Sequence, residues 1–181
     1  MKIYTKNFHP ALAGNHANKI QEINLSLYTR ITCKEMVEVL RVKKLNRCLF
    51  ELKMNSLIVL QQNIAKKLMF SHFDIIELKR LKNIDYKTLN YLSKTSAALD
   101  IGISSLNSKK AELFLQHKAA LTLSGLKTIS AKAALVLSKY QGNILEMPKI
   151  EKISPKAFKY LCGFKGEFLD IGSLNQKSKY K

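Results

Sequence analysis

The chain has 181 residues, enough for one large domain or two small ones. An apolar fraction of 46% with only 7 Gly and 3 Pro excludes a disordered chain and disfavours a loop-rich sandwich. The net charge of +18, from 31 basic and 13 acidic residues, raises nucleic acid or an anionic membrane as a partner. Against that, only Arg30, Arg41, Arg47 and Arg80 are arginines, and Arg is the better reader of phosphate.

Residues 1–22 contain no apolar run of signal-peptide length and read as an N-terminal cap over the first unit, with a short helix from Pro10 as the alternative. No stretch of the chain reaches the roughly 20 apolar residues that span a bilayer, so the expectation is a cytoplasmic protein, with secretion by a signal-independent route as the alternative. Cys33, Cys48 and Cys162 are odd in number and far apart, so no disulfide framework is expected.

From Ile23 onward one pattern recurs. Units start near Ile23, Leu52, Ile76, Leu99, Leu121, Leu145 and Leu169. Their spacings are 29, 24, 23, 22, 24 and 24 residues, and the excess in the first falls in 41–51. Two copies are nearly in step: LTLSGLKTISAKAALVLSKYQG (121–142) and LEMPKIEKISPKAFKYLCGFKG (145–166). Such a period signals a solenoid.

Each unit opens with alternating apolar residues, as in Ile76 and Leu78, Leu121 and Leu123, Leu145 and Met147, or Leu169 and Ile171. Alternation places both side chains on one face of a strand. A strand of four or five residues needs neighbours on either side, so adjacent units pair. At the tenth position Thr32, Asp85, Ser108, Ser130 and Ser154 are helix N-cap residues. Thr32 and Glu35 form a capping-box pattern, and Pro155 stands at a first helical position. Apolar residues one turn apart follow: Ile64 and Leu68, Ala111 and Leu115, Ala133 and Leu137, Ala157 and Leu161. Gly142 and Gly166 sit where a helix would stop. The Gln61 unit has no cap residue.

The predicted fold is therefore α/β. It is a solenoid of stacked strand–helix units over 23–174, with a parallel sheet on one face and helices on the other. Seven strands about 4.8 Å apart make a stack about 30 Å long. The polar segment 175–181 is a basic tail. After Leu169-Asp170-Ile171 no helix follows, so the last strand offers an edge for end-to-end self-association, or the chain is one piece of a longer array.

The LxL strands with a further apolar residue three later, as in Leu121-Thr122-Leu123 and Leu126, resemble the leucine-rich repeat superfamily. The form is close to an irregular bacterial variant, LxLxxLxxLSxxAAxxLxxxxG. It departs from the usual form at the Asn ladder, where this chain has Tyr28, Leu57, Leu81, Ser104, Leu126, Ile150 and Leu174. The resemblance implies a non-enzymatic scaffold for protein–protein binding through the strand face.

The outward position of each strand is the candidate binding row: Glu77, Asp100, Thr122, Glu146 and Asp170, preceded by Asn24 and Lys53. Stacking sets Glu77 beside Asp100 and Glu146 beside Asp170, which suits a basic partner segment; alternatively the acids pair with Lys79, Arg80 or Lys149. Lys109, Lys110, Lys132, Lys139, Lys156, Lys159 and Lys165 fall in the helix half and form a basic face. That face supports an alternative function, a nucleic-acid-binding accessory protein, or is simply a solvated surface. Phe158, Tyr160 and Phe164 read as core.

His9, His16, His72 and His117 are dispersed, with no metal-ligand spacing, and His117 reads as a surface residue. No nucleophile elbow and no nucleotide-binding glycine motif occurs, so no catalytic residue, metal or cofactor is expected. Cys162 takes the place of Ser138 in the preceding unit and reads as small and partly buried.

Overall fold

A computed structural model describes residues 4–7, 20–44 and 49–172. Helices α1 (Cys33–Lys44), α2 (Gln62–Met69), α3 (Tyr86–Leu92), α4 (Ser108–Leu113), α5 (Ala131–Leu137) and α6 (Pro155–Leu161) alternate with short strands. The main sheet holds β1 (Tyr4–Asn7), β2 (Ile20–Asn24), β3 (Leu49–Lys53), β4 (Ile75–Leu78), β5 (Ala98–Ile101), β6 (Leu121–Thr122), β8 (Ile144–Glu146) and β10 (Phe168–Asp170), in that order. β1 is antiparallel to β2 and the other neighbours are parallel. A small second sheet pairs β7 (Thr128–Ile129) with β9 (Lys152–Ile153), in the turns that lead into α5 and α6.

The register is set by the inward apolar residues. Ile23 pairs with Leu52, then Ile76, Leu99, Leu121, Leu145 and Leu169, each opposite the next. A slip by one residue would turn each of these to water, so one buried face fixes the pairing. The next inward residues, Leu25, Met54, Leu78, Ile101, Leu123, Met147 and Ile171, are buried as well. They share one core with the helix residues Met36, Ile64, Leu89, Ala111, Ala133 and Ala157. Successive helices pack side by side, α1 on α2 through to α5 on α6. The molecule is thus α/β, with a mostly parallel sheet and six helices among the described residues.

Side-chain caps start most helices. Asp85, Ser130 and Ser154 accept the backbone N–H three residues on, from Thr88, Ala133 and Ala157. Glu35 takes the backbone N–H of Thr32 at 2.8 Å while Thr32 Oγ1 accepts from Glu35 N at 3.3 Å, completing a capping box. Gln61 makes no such bond. The cap of α4 is Asn107, which accepts from Lys110 N; Ser108 is the first helical residue. This unit is one residue shorter in the turn, so its helix register moves too. Phe114 is fully buried, and Leu115 is only half-buried.

The extra length of the first unit lies partly in α1, which has 12 residues against 7 in α3. The Pro10 segment, Cys48 and the tail lie outside the described residues.

Gly142 and Gly166 do not stop α5 and α6, which end at Leu137 and Leu161. They lie in the return loops. There a Cβ on Gly142 would meet Ala119 O at 2.6 Å, and one on Gly166 would meet Asn143 O at 2.7 Å. The loops themselves are filled by a column of residues ten positions after each cap: Ser71, Thr95, His117, Tyr140 and Phe164. His117 stacks on Tyr140 with ring centroids 6.3 Å apart, and Tyr140 on Phe164 at 6.1 Å. His117 is therefore buried, not a surface residue. Phe158, Tyr160 and Phe164 are half-buried against the core, and Cys162 is exposed.

Candidate functional site

The face of the main sheet away from the helices carries three outward rows. Strand alternation generates them, since every inward apolar residue is flanked by outward ones. The middle row is Asn24, Lys53, Glu77, Asp100, Thr122, Glu146 and Asp170, each opposite the next. The five residues singled out in the sequence, Glu77, Asp100, Thr122, Glu146 and Asp170, thus form one continuous line.

The acids of this line are held, not merely exposed. Lys79 Nζ bridges Glu77 at 2.9 Å and Asp100 at 3.5 Å. Asn55 Nδ2 donates to Glu77 Oε2 at 2.7 Å. Burial works to raise the Glu77 carboxyl, but the hydrogen bonds from Lys79 and Asn55 outweigh it and hold the group below the usual range. Asp100 goes the other way. Its burial is the largest influence and the Glu77 charge adds to it, so its carboxyl is raised despite Ser124 and Lys79. The Ser124 hydroxyl is near enough to oppose the rise, but it makes no hydrogen bond of standard geometry, and neither does Asp100 Oδ1. Thr122 Oγ1 donates to Glu146 at 2.6 Å.

Sequence reasoning missed the first strands' share of this face. Glu22 and Glu51 lie one row over, and Lys53 bridges them at 2.8 and 3.1 Å. Of the alternative ion-pair partners, Lys79 bridges the acids as anticipated; Arg80 and Lys149 are in no ion pair among the described residues. Counted over the three rows, this face holds six of the 13 acids and two of the 31 basic residues. Glu22 and Glu51 stand two residues before Asn24 and Lys53, and strand alternation puts such residues on the same face.

Beside the middle row runs an apolar one. Ile75, Ala98, Ala120 and Ile144 are half-buried, and Phe168 is 51% exposed.

The basic face is less uniform than the sequence implies. Lys109, Lys132, Lys156 and Lys159 are exposed on α4, α5 and α6. Lys110 is half-buried and donates to Ile84 O at 2.6 Å. Lys139 and Lys165 are not on helices; they line an open cleft of about 520 Å³ in the return loops with Tyr140, Gly142 and Gly166.

No group of three or more His, Cys, Asp or Glu could hold a metal ion among the described residues. No helix among them is long and apolar enough to cross a membrane. Comparison of the chain with protein-family models, curated proteins and solved structures finds no match.

Proposed function

We propose that this chain is a leucine-rich-repeat-like solenoid that serves as a protein–protein interaction scaffold and does no chemistry. The partner lies on the strand face and presents a basic segment to it. One observation carries this reading: a row of carboxylates stands in register on the strand face of a chain of net charge +18. The face is four charges negative while the rest of the molecule is strongly positive, so a basic partner is drawn to one side. Many modest contacts over a firmly paired sheet supply the binding, with little ordering cost on this side.

A second reading rests on Lys109, Lys132, Lys156 and Lys159, which are exposed together on the helix side and suit a polyanion. Fluorescence anisotropy separates the two. A Lys/Arg-rich peptide and a DNA duplex are titrated at about 50 and 200 mM salt, where phosphate-mediated binding falls by about 10³ to 10⁵ when 6–10 phosphates are contacted. Peptide binding with no duplex binding at the higher salt is the expected result. Duplex binding retained at the higher salt, with no peptide binding, would reject the scaffold reading.

A further inference from the structure

The strand face carries two rows of different chemistry side by side, and their spacing selects the partner's shape. The rows repeat about every 4.8 Å across the strands and lie about 6.7 Å apart along them. Cations that meet Glu77, Asp100, Glu146 and Asp170 in turn must keep near the 4.8 Å step. An α-helix brings one face round every 5.4 Å, whereas same-side residues of an extended segment recur about every 6.7 Å. Over the four steps from β4 to β10 the helix drifts by about 2 Å, which a lysine side chain absorbs. The extended segment drifts by about 8 Å, more than one strand.

The apolar row of Ile75, Ala98, Ala120, Ile144 and Phe168 then meets the helix's neighbouring stripe.

We infer that the occupant of this face is a basic amphipathic helix of a protein partner, lying across the strands with its cationic stripe on the Glu77–Asp170 row and its apolar stripe on the Ile75–Phe168 row. The inference rests on the strand-face reading above. It adds the partner's secondary structure and its second, apolar stripe.

The test uses the full chain and two labelled peptides of about 18 residues with the same Lys, Leu and Ala composition. One segregates Lys and Leu at a 3.6-residue period, and the other alternates them at a period of two. The helical-period peptide binds about tenfold tighter, and Ile144→Ser with Phe168→Ser removes that advantage. Circular dichroism confirms that the variant keeps its fold; if it does not, the comparison on the unaltered chain decides. Equal affinity for both peptides, or an advantage that survives in the folded variant, overturns the helix inference and leaves the strand-face reading intact. No binding of either peptide overturns both.

Discussion

Glu77 and Asp100 stand side by side on β4 and β5 and share one ammonium group, Lys79, at 2.9 and 3.5 Å. Two carboxylates on adjacent strands repel at sheet spacing, and the shared cation offsets that repulsion. The pair is unequal: hydrogen bonds from Lys79 and Asn55 hold Glu77 ionised, while burial makes Asp100 easier to protonate than a free carboxyl.

Removing that cation makes the pair's cost depend on pH. Lys79→Ala lowers stability by about 1 kcal/mol at pH 7, a modest value because Lys79 is 45% exposed and screened. The depressed Glu77 contributes stability above its unfolded value, lost as pH falls through its folded one. The raised Asp100 contributes stability that is full below its unfolded value and lost as pH rises through its folded one. Both acids protonate more readily without Lys79, so the deficit shrinks towards pH 4. Denaturant melts at pH 4 and 7 check this; an equal deficit at both pH values contradicts it.

His117 is buried with Nδ1 unpartnered, and Nε2 lies 3.4 Å from Ala120 O. Burial is the main influence on the ring and keeps it neutral, lowering its pKa below 6.5. A depressed imidazole gives stability above its unfolded value and loses it as pH falls through the folded one. Acidification below about pH 6.5 therefore costs stability through this residue. His117→Phe, which keeps the stack on Tyr140, flattens that part of the stability profile. Thermal midpoints between pH 7 and 5 report it.

The cap of α4 is open to a paired test. Asn107→Ala costs about 1 kcal/mol, while Ser108→Ala stays within about 0.5 kcal/mol. The reverse order would place the helix start one residue later than Asn107 puts it.

Gly102 is needed for space. A side chain there would collide with the Lys79 carbonyl in the turn below, and Gly125 packs in the same way on Gly102. Gly102→Ala costs about 2–3 kcal/mol and lowers the midpoint of a thermal melt by about 5–10 °C. A midpoint within about a degree of the parent would show that the turns can spread.

The parallel sheet was legible because Ile76-Glu77-Leu78 or Leu121-Thr122-Leu123 has only one face that can be buried, and one face fixes register. The turn before α4 was not legible. Asn107 and Ser108 are both cap formers, so a missing residue can be placed on either side of them without disturbing the pattern. His117 misled for a related reason. Its burial shows only when it is set in a column with Tyr140 and Phe164, and that column appears once the caps are aligned on Asn107. On the strand face Glu77, Asp100, Glu146 and Asp170 were visible as one outward position. Glu22, Glu51 and the apolar row belong to a neighbouring position, which matters only when strands are laid side by side.

The central claim is that the strand face binds and the helix face does not. The most direct measurement compares two double charge reversals, Glu146→Lys with Asp170→Lys and Lys132→Glu with Lys156→Glu, in one anisotropy assay with the Lys/Arg-rich peptide. The strand-face pair is expected to weaken binding about tenfold or more, and the helix-face pair to leave it within about twofold. Binding unchanged by the strand-face pair, or lost only with the helix-face pair, would contradict the account.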